Sequence, residues 1–331
     1  QGTGKTKVAL DKTAHLFLRG VIDALVVVAP NGVHRNWIER EVPIHMTIPY
    51  ETLIWSHNHT KKYQAKLQAF CALPTEGAAR RLKIFAINIE SFRRKTSKAT
   101  PFVFKFERRF KCHTVVDESS NIKTPSATQT RTLIRLGKDA VCRSILTGTP
   151  VTQSPLDFYS QFQFLKPGCL GYESFTAFKA YFAEWREHPV PGTVDPRTGA
   201  PKQRKELIRF KNLDELKQLV DKHSFTVRKV DCLDLPPKVY IVRPVEPSPE
   251  IAAMYEKVKK EVLIWIAQNT SLTIRNVLTR MLRLSQVTGG FVATDENKIP
   301  QPIGDSNPKI ISLLGIVDEL GPTDKMIIWA R

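Results

Sequence analysis

The chain has 331 residues, of which 42% are hydrophobic and 25% are charged. That length is enough for more than one domain, and no apolar run approaches the roughly 20 residues that span a bilayer, so we expect no membrane partner. Lys and Arg number 50 against 32 Asp and Glu, which gives a formal net charge of +18. Such an excess favours a polyanionic partner, usually nucleic acid.

Amphipathic stretches alternate with apolar runs through the first half of the chain. The amphipathic stretches predict helices over residues 5–20, 33–43, 61–73 and 126–136. The runs between them are rich in Val and Ile and predict strands over residues 24–30, 81–88, 112–118 and 141–150. Consecutive apolar residues are typical of strands that are buried on both faces of a parallel sheet. The alternation therefore predicts a doubly wound α/β lobe over residues 1–167.

The pattern changes after Gly168. Helices are predicted over residues 172–186 and 204–223, with a polar loop rich in Pro, Gly and basic residues between them. A linker with an edge-type strand is predicted near residues 235–250, followed by helices over 248–268, 272–286 and 308–320 and by a buried strand over 325–331. We therefore expect a helical insertion and linker over 168–234, and a helical region that leads into further α/β structure over 235–331.

The five cysteines are widely spaced and form no CxxC pair, which predicts reduced thiols and no zinc site. The letters His57-Asn58-His59 spell the name of a nuclease motif. The residues of that motif are not contiguous, and no further ligand residues stand nearby at metal-binding spacing. We interpret this match as chance.

The chain opens with QGTGKT, which matches the end of the phosphate loop GxxxxGK[ST]. Gly2 and Gly4, with Thr3 between them, allow backbone N–H groups to curl around phosphate oxygens. Lys5 can reach the β- and γ-phosphates, and Thr6 can offer its hydroxyl to Mg²⁺. The helix that follows directs its positive end at the same anions. This segment therefore predicts the binding of ATP with Mg²⁺.

A second signal is the run Val115-Val116-Asp117-Glu118, an apolar strand that ends in two acids. Ligand sites in α/β sheets lie at the carboxyl ends of strands. Asp117 is expected to hold Mg²⁺, and Glu118 is expected to orient the attacking water. Two such acids alone are more typical of a helix cap or a solvated turn, but together with the GKT sequence they predict a nucleotide-hydrolysing site.

The order of these motifs resembles that of superfamily-two helicase-like ATPases. The segments VVVAPNGVHRNW, VVDESSNIKTPSA and ILTGTPVTQSPLDFYSQFQFL follow the phosphate loop in the order of the Swi/Snf branch, including its bacterial and phage members with a DEAD/DEAH-box-like acidic pair. Downstream, FTVRKVDCLDLPPK resembles the linker between the two lobes of that branch. The segments NPKIISLLGIVDEL and KMIIWAR resemble the opening of its second RecA-like lobe. The resemblance implies a RecA-like first lobe and covers nearly the whole chain.

The resemblance also implies roles for individual residues. Thr147, Gly148 and Thr149 would couple the nucleotide state to DNA contact. Pro30 and Asn31 fall where the family touches the phosphate backbone of a nucleic-acid strand. Lys5 and Thr6 would be central to phosphate and Mg²⁺ binding, and Asp117 with Glu118 would form the catalytic pair.

This sequence departs from the family pattern at two places. The acidic pair is followed by Ser119-Ser120, where the family often has a His that bridges to the coupling motif, so the route of coupling is left open. The expected arginine fingers would lie beyond Arg331, and the first glycine of the phosphate loop and the adenine-binding segment would precede Gln1. We therefore expect an internal piece of a longer ATPase, with negligible turnover on its own.

These observations predict an ATP-dependent motor that moves along duplex DNA and grips phosphates rather than bases. Three alternatives stay open: an RNA helicase, the motor of a restriction or nuclease assembly and, for this chain alone, a nucleotide-gated binding module. We expect a cytoplasmic location in a bacterial or phage-infected cell, or a nuclear one in a eukaryote. The sequence leaves the oligomeric state and the direction of movement open.

Overall fold

The computed structural model describes residues 2–73, 75, 77, 79–94, 96–194, 199, 201–268, 274–292 and 300–329. The chain divides into two compact units, residues 1–235 and residues 236–331. The three-part division expected from the sequence stays a prediction.

The first unit is built on a five-stranded parallel sheet in the order β2-β3-β1-β4-β5. Its strands are β1 (Ala24–Ala29), β2 (Tyr50–Ile54), β3 (Leu82–Asn88), β4 (Cys112–Asp117) and β5 (Cys142–Leu146). Four of them coincide with the predicted strands. The expected doubly wound RecA-like lobe is therefore confirmed.

Helices cover both faces of this sheet. They are α1 (Lys5–Leu18), α2 (Val33–Asn36), α3 (Val42–His45), α4 (Lys61–Phe70), α5 (Ala99–Arg109) and α6 (Thr128–Gly137), and α2 joins α3 through a π-helical turn, Trp37–Glu41. On one face, α4, α5 and α6 pack in a core with Val26 and Val28. On the other face, α1 and the α2–α3 segment pack in a core with Leu25 and Val27. Each fully buried Val or Leu contributes about 1.5–3 kcal/mol, so the alternation along β1 stabilises both layers.

A smaller aromatic core follows the sheet. Helix α7 (Phe158–Leu165) begins after a 3₁₀ turn, Pro155–Asp157, and packs with α8 (Phe175–Phe182) and α9 (Leu213–Asp221). Pro155 stands at the first position of this turn, where the fixed φ of proline suits the start of a helix. The first unit also contains the short helix α10 (Lys229–Cys232).

An antiparallel hairpin occupies part of the expected helical insertion. Strands β6 (Ala183–Val194) and β7 (Pro201–Phe210) lie where the sequence predicts parts of two helices and a loop, so those predictions are wrong there. Opposite charges on facing strands attract one another across such a ladder. Among the described residues, the ion pairs Glu184–Arg209 and Glu187–Lys205 join the two strands, and His188 Nε2 lies 3.1 Å from Oε2 of Glu206.

The second unit contains α11 (Pro249–Gln268), α12 (Ile274–Thr288), the short antiparallel strands β8 (Phe291–Val292) and β9 (Gln301–Pro302), and α13 (Pro308–Asp318). Ile251, Val287 and Ile303 form its buried cluster. The edge strand predicted near residues 235–250 is wrong, because residues 233–248 form no strand. Residues 325–329 are likewise not a strand, and Trp329 is 92% exposed. The remainder of that predicted strand lies outside the described residues.

No helix in the described ranges is both long enough and apolar enough to cross a bilayer.

Glu107 on α5 is a buried acid, and it predicts a pH-dependent stability. Its Oε1 accepts a hydrogen bond from the Thr114 hydroxyl at 2.5 Å, while Oε2 has no partner among the described residues. Burial raises the pKa of Glu107 from 4.5 to about 8, against the opposing effect of the Thr114 hydrogen bond. The folded protein therefore retains a proton between pH 4.5 and 8 that the unfolded chain releases, and stability falls as pH rises through this window.

We expect Glu107→Gln to remove this pH dependence. Relative to the unmodified protein, the variant should gain up to about 1.4 kcal/mol of unfolding free energy per pH unit between pH 5 and 8. Urea unfolding at several pH values measures the difference. Glu39→Gln, which changes an exposed carboxylate, is the matched control. A difference that stays constant with pH would contradict the raised pKa.

Candidate active site

The first turn of α1 is preceded by backbone that only glycine adopts readily. Gly2 and Gly4 have φ values of 78° and 81°, in the left-handed region where a Cβ is strained. Helix α1 starts at Lys5, its first turn has no acidic residue, and Gly4 offers no capping side chain. The first N–H groups of a helix have no partner within the helix, so this end is suited to an anion.

Contacts along α1 fix its direction against the sheet. In the middle of the helix, Thr13 Oγ1 lies 2.9 Å from Nδ1 of His113, near the start of β4. The turn after α1 leads into the start of β1, where the Asp23 N–H donates to the carbonyl oxygen of Lys111 at 2.7 Å. Helix α1 therefore runs opposite to the strands. Lys5 precedes Thr13 by about 12 Å of helix, and Asp117 follows His113 by about 13 Å of strand. Both residues consequently reach the carboxyl edge of the sheet.

Asp117 is buried at the end of β4, and each of its carboxylate oxygens accepts one hydrogen bond. Oδ2 accepts from the indole Nε1 of Trp37 at 2.9 Å, and Oδ1 accepts from the backbone N–H of Glu118 at 2.9 Å. Trp37 is 1% exposed and begins the π-helical turn between α2 and α3. Such turns often occur at functional sites because they redirect one side chain. Here the turn aims the indole at a carboxylate 80 residues away in the sequence.

The neighbouring strand ends carry the other predicted residues. Val28 of β1 lies opposite Val116 of β4, so Pro30 and Asn31 emerge beside the acidic pair. Asp117 lies opposite Leu146 of β5, so the run Thr147–Thr149 begins directly next to it. The Thr149 N–H donates to Thr147 Oγ1 at 3.1 Å, which closes a local turn. The structure thus brings the predicted residues to one edge, while the role of each stays a prediction.

Residues 2–289 match the SNF2-related domain family. The chain belongs to this family. The Swi/Snf resemblance of the sequence and its place among superfamily-two helicase-like ATPases are thereby confirmed.

Two curated relatives illustrate the similarity of this SNF2-related domain to longer proteins. Helicase SWR1 of Cryptococcus neoformans is 26% identical over 59% of this chain and 14% of the relative. DNA repair and recombination protein RAD54 of Oryza sativa is 24% identical over 72% of this chain and 23% of the relative. The chain thus spans less than a quarter of either protein. Both come from eukaryotes, so they do not support the finer expectation of a bacterial or phage member of DEAD/DEAH-box type.

Among solved structures, the Sulfolobus solfataricus SWI2/SNF2 ATPase core in complex with dsDNA is similar to this SNF2-related domain. It is 21% identical and covers 96% of this chain and 58% of the solved chain, with a TM-score of 0.48.

Glu118 has an unusual backbone in this SNF2-related domain. Its φ of 48° and ψ of 56° are left-handed, a conformation that costs a non-glycine residue about 1–2 kcal/mol. Among the described residues only Asn212 shares a positive φ without being glycine. Local strain of this kind is typical of functional sites. Here it turns the chain sharply at the end of β4 and keeps Glu118 half-buried beside Asp117.

The donor set fits a magnesium nucleotide. Within the described ranges no group of three or more His, Cys, Asp or Glu side chains could cage a metal ion. Mg²⁺ prefers one or two carboxylates together with waters and phosphate oxygens. The carboxylate of Asp117 keeps lone pairs beyond its two hydrogen bonds, and Thr6, a half-buried residue in the first turn of α1, carries a hydroxyl.

His113 is a further buried residue that sequence reasoning missed. Its Nε2 lies 2.9 Å from Ser144 Oγ on β5, its Nδ1 contacts Thr13 on α1, and Lys12 Nζ also donates to Ser144 Oγ at 3.0 Å. Burial, aided by the charge of Lys12, lowers the pKa of His113 to about 3, so the ring is neutral. A neutral imidazole has one donor and one acceptor nitrogen, which matches two hydroxyl partners. His113 therefore links the three elements that carry the predicted motifs.

Proposed function

We propose that this chain is the motor segment of a protein that hydrolyses ATP and uses the energy to move along duplex DNA. The observation that carries the proposal is the meeting of the α1 amino terminus, with Lys5, and the acidic end of β4 at one edge of the sheet. Family membership supports the same reaction. Because the chain spans only a small share of its curated relatives, the activity belongs to the whole protein.

The residues at this edge of the sheet are assigned roles in binding and hydrolysing the nucleotide. Gly2 through Thr6, including Thr3 and Gly4, bind the phosphates, and the Lys5 ammonium attracts the β- and γ-phosphates. Thr6 and Asp117 would hold Mg²⁺, which neutralises phosphate charge when it is bound. Trp37 fixes the orientation of the Asp117 carboxylate. Glu118 orients the attacking water.

DNA contact is proposed at the same edge. Pro30 and Asn31 contact the phosphate backbone of one strand, and Thr147, Gly148 and Thr149 transmit that contact to the nucleotide. Contacts to phosphates carry no sequence information, so binding is expected to be nearly independent of sequence. The net charge of +18 supports a polyanionic partner.

We expect duplex DNA to stimulate ATP hydrolysis by the whole protein more than single-stranded DNA or RNA does. The measurement is the steady-state rate of phosphate release with each nucleic acid at matched nucleotide concentration. The apparent affinity for duplex DNA should fall linearly on logarithmic axes with salt concentration, because phosphate contacts release counterions. Stronger stimulation by RNA would instead favour the RNA helicase reading, and no stimulation by any nucleic acid would contradict the proposed function.

We propose a cytoplasmic location for the whole protein in a bacterial or phage-infected cell, and a nuclear location in a eukaryotic cell.

A further inference from the structure

Two loops flank the proposed catalytic edge. The acid-pair loop comprises residues 118–123, which follow β4, and the TGT loop comprises residues 147–153, which follow β5. The acidic pair in this chain is followed by Ser119-Ser120 and not by the histidine that the family pattern led us to expect. A different group must therefore connect the two loops if they communicate.

Gln161 on α7 makes that connection with both ends of its side-chain amide. Ser119 Oγ of the acid-pair loop donates to Gln161 Oε1 at 2.7 Å. Gln161 Nε2 donates to the carbonyl oxygen of Pro150 in the TGT loop at 2.8 Å, and to the carbonyl oxygen of Asp157 at 2.9 Å. Ser119 and Gln161 are both 0% exposed. One buried amide thus joins the two loops and its own helix.

Asp157 provides a second, parallel connection. Its Oδ2 accepts from the N–H and the hydroxyl of Thr152 and from the N–H of Gln153, each at 3.0 Å. Lys123 of the acid-pair loop donates to the same Thr152 hydroxyl. Burial alone would raise the pKa of Asp157, but the hydrogen bonds from Gln153 and Thr152 outweigh burial and lower it, so the carboxylate stays charged. Asp157 and Gln161 are four residues apart and therefore lie on one side of the helical segment.

Movement of one loop without the other would break buried hydrogen bonds. A buried donor or acceptor that loses its partner is not resolvated, so the separated arrangement is disfavoured. The two loops and the start of α7 are thereby expected to change position together. Coupling between two sites needs a physical element whose arrangement both sites influence. The two loops, joined to the start of α7, form such an element.

We propose that Gln161 is the positioning residue through which DNA contact at the TGT loop reaches the acidic pair. The inference rests on the proposed function, because it assigns the route by which DNA stimulates hydrolysis. Gln161 touches neither nucleotide nor DNA in this proposal. It acts by holding Ser119 and Pro150 at a fixed separation.

The test compares two glutamines on the same helix. Gln161→Met keeps a similar volume but removes all three hydrogen bonds, whereas Gln163→Met removes one hydrogen bond to the carbonyl oxygen of Tyr172, away from both loops. For each variant of the whole protein, the quantity measured is the ratio of ATP hydrolysis with duplex DNA to hydrolysis without it. We expect Gln161→Met to lower this ratio at least about fivefold, with little change in KM for ATP, and Gln163→Met to leave the ratio unchanged.

A smaller substitution provides a second test in case Gln161→Met does not fold properly. Ser119→Ala removes one hydroxyl from the same bridge and should also lower the ratio. Because both changes break one connection, the double variant should lose less than the product of the two single effects. Hydrogen exchange supplies a readout besides activity: duplex DNA should alter the protection of the acid-pair loop in the unmodified protein and in Gln163→Met, but not in Gln161→Met.

Two results would overturn the inference. One is an unchanged ratio in Gln161→Met; if both rates fall equally and the melting temperature is lower, the variant has lost packing alone. The other is a double variant whose effect equals the product of the single effects. If the unmodified protein is not stimulated by DNA at all, the proposed function fails first, and the coupling role falls with it.

Discussion

Replacing Lys5 with alanine is expected to lower DNA-stimulated ATP hydrolysis by about two to three orders of magnitude, the size of effect seen when one donor that stabilises transition-state charge is removed. Lys5 is the first residue of α1 and follows the left-handed Gly4. Lys5 is a half-buried residue whose ammonium makes no ion pair within the described part of the chain, so it is available to a phosphate. The measurement is phosphate release by the whole protein at saturating duplex DNA, together with titration of a fluorescent ATP analogue.

Lys7→Ala is the matched control for this variant. It removes the same charge from the same helix, but Lys7 is exposed and pairs with Asp11 at 2.5 Å. An exposed pair of this kind contributes little to stability, so Lys7→Ala should keep normal hydrolysis. Retained DNA-stimulated turnover in Lys5→Ala would refute the assignment of residues 2–6 to phosphate binding. Equal losses in both variants would point to a general effect of positive charge on DNA binding.

The central strands of the sheet were predictable because burial on both faces requires consecutive apolar residues. Val26, Val27 and Val28 satisfy this requirement, and all three are 0% exposed. Strand β2 was missed because it lies at the edge of the sheet, where Glu51 and Thr52 are not buried. The pattern of apolar residues along a sequence therefore reveals a strand only where burial of that strand requires such a pattern.

The hairpin of β6 and β7 was missed because its strands depend on each other and not on a local sequence pattern. The run Lys205-Glu206-Leu207-Ile208-Arg209 mixes charged and apolar residues in a way that also suits a helix. Its strand conformation depends on pairing with β6 through ion pairs such as Glu184–Arg209. A partner that lies 25 residues away is not visible in a local window, so tertiary pairing overrode the local preference.

The candidate site was predictable as a set of segments but not as a set of contacts. The rule that ligands bind at the carboxyl ends of strands places Asn31, Asp117 and Thr147 together once the strands are known. The hydrogen bonds that orient them come from residues distant in sequence. Trp37 lies 80 residues from Asp117, and Gln161 lies 42 residues from Ser119. Trp37 ends the segment VVVAPNGVHRNW, which was recognised in the sequence, yet nothing in that segment identifies Asp117 as its hydrogen-bond partner.

Glu118→Gln is expected to lower ATP hydrolysis at least about a hundredfold while ATP binding stays normal, because an amide keeps the shape of the side chain but is a poor proton acceptor for water. Phosphate binding depends on the other side of the site, at Lys5, so the two properties should separate. Single-turnover hydrolysis and equilibrium nucleotide binding measure them independently. Glu39→Gln, at an exposed carboxylate that pairs with Arg35, is the control and should keep both. Hydrolysis within about threefold of normal in Glu118→Gln would remove Glu118 from the reaction.

Glu118→Gly separates the chemistry of this residue from its backbone strain. Glycine relieves a left-handed conformation that costs about 1–2 kcal/mol, but it adds about 0.5–1 kcal/mol of chain entropy to be lost on folding. The free energy of unfolding should therefore rise by no more than about 1.5 kcal/mol. Hydrolysis should nevertheless fall as far as in Glu118→Gln, because the carboxylate is absent from both variants. If Glu118→Gly hydrolysed ATP normally, the sharp turn after β4 would be what the site requires, and the side chain would have no part in orienting water.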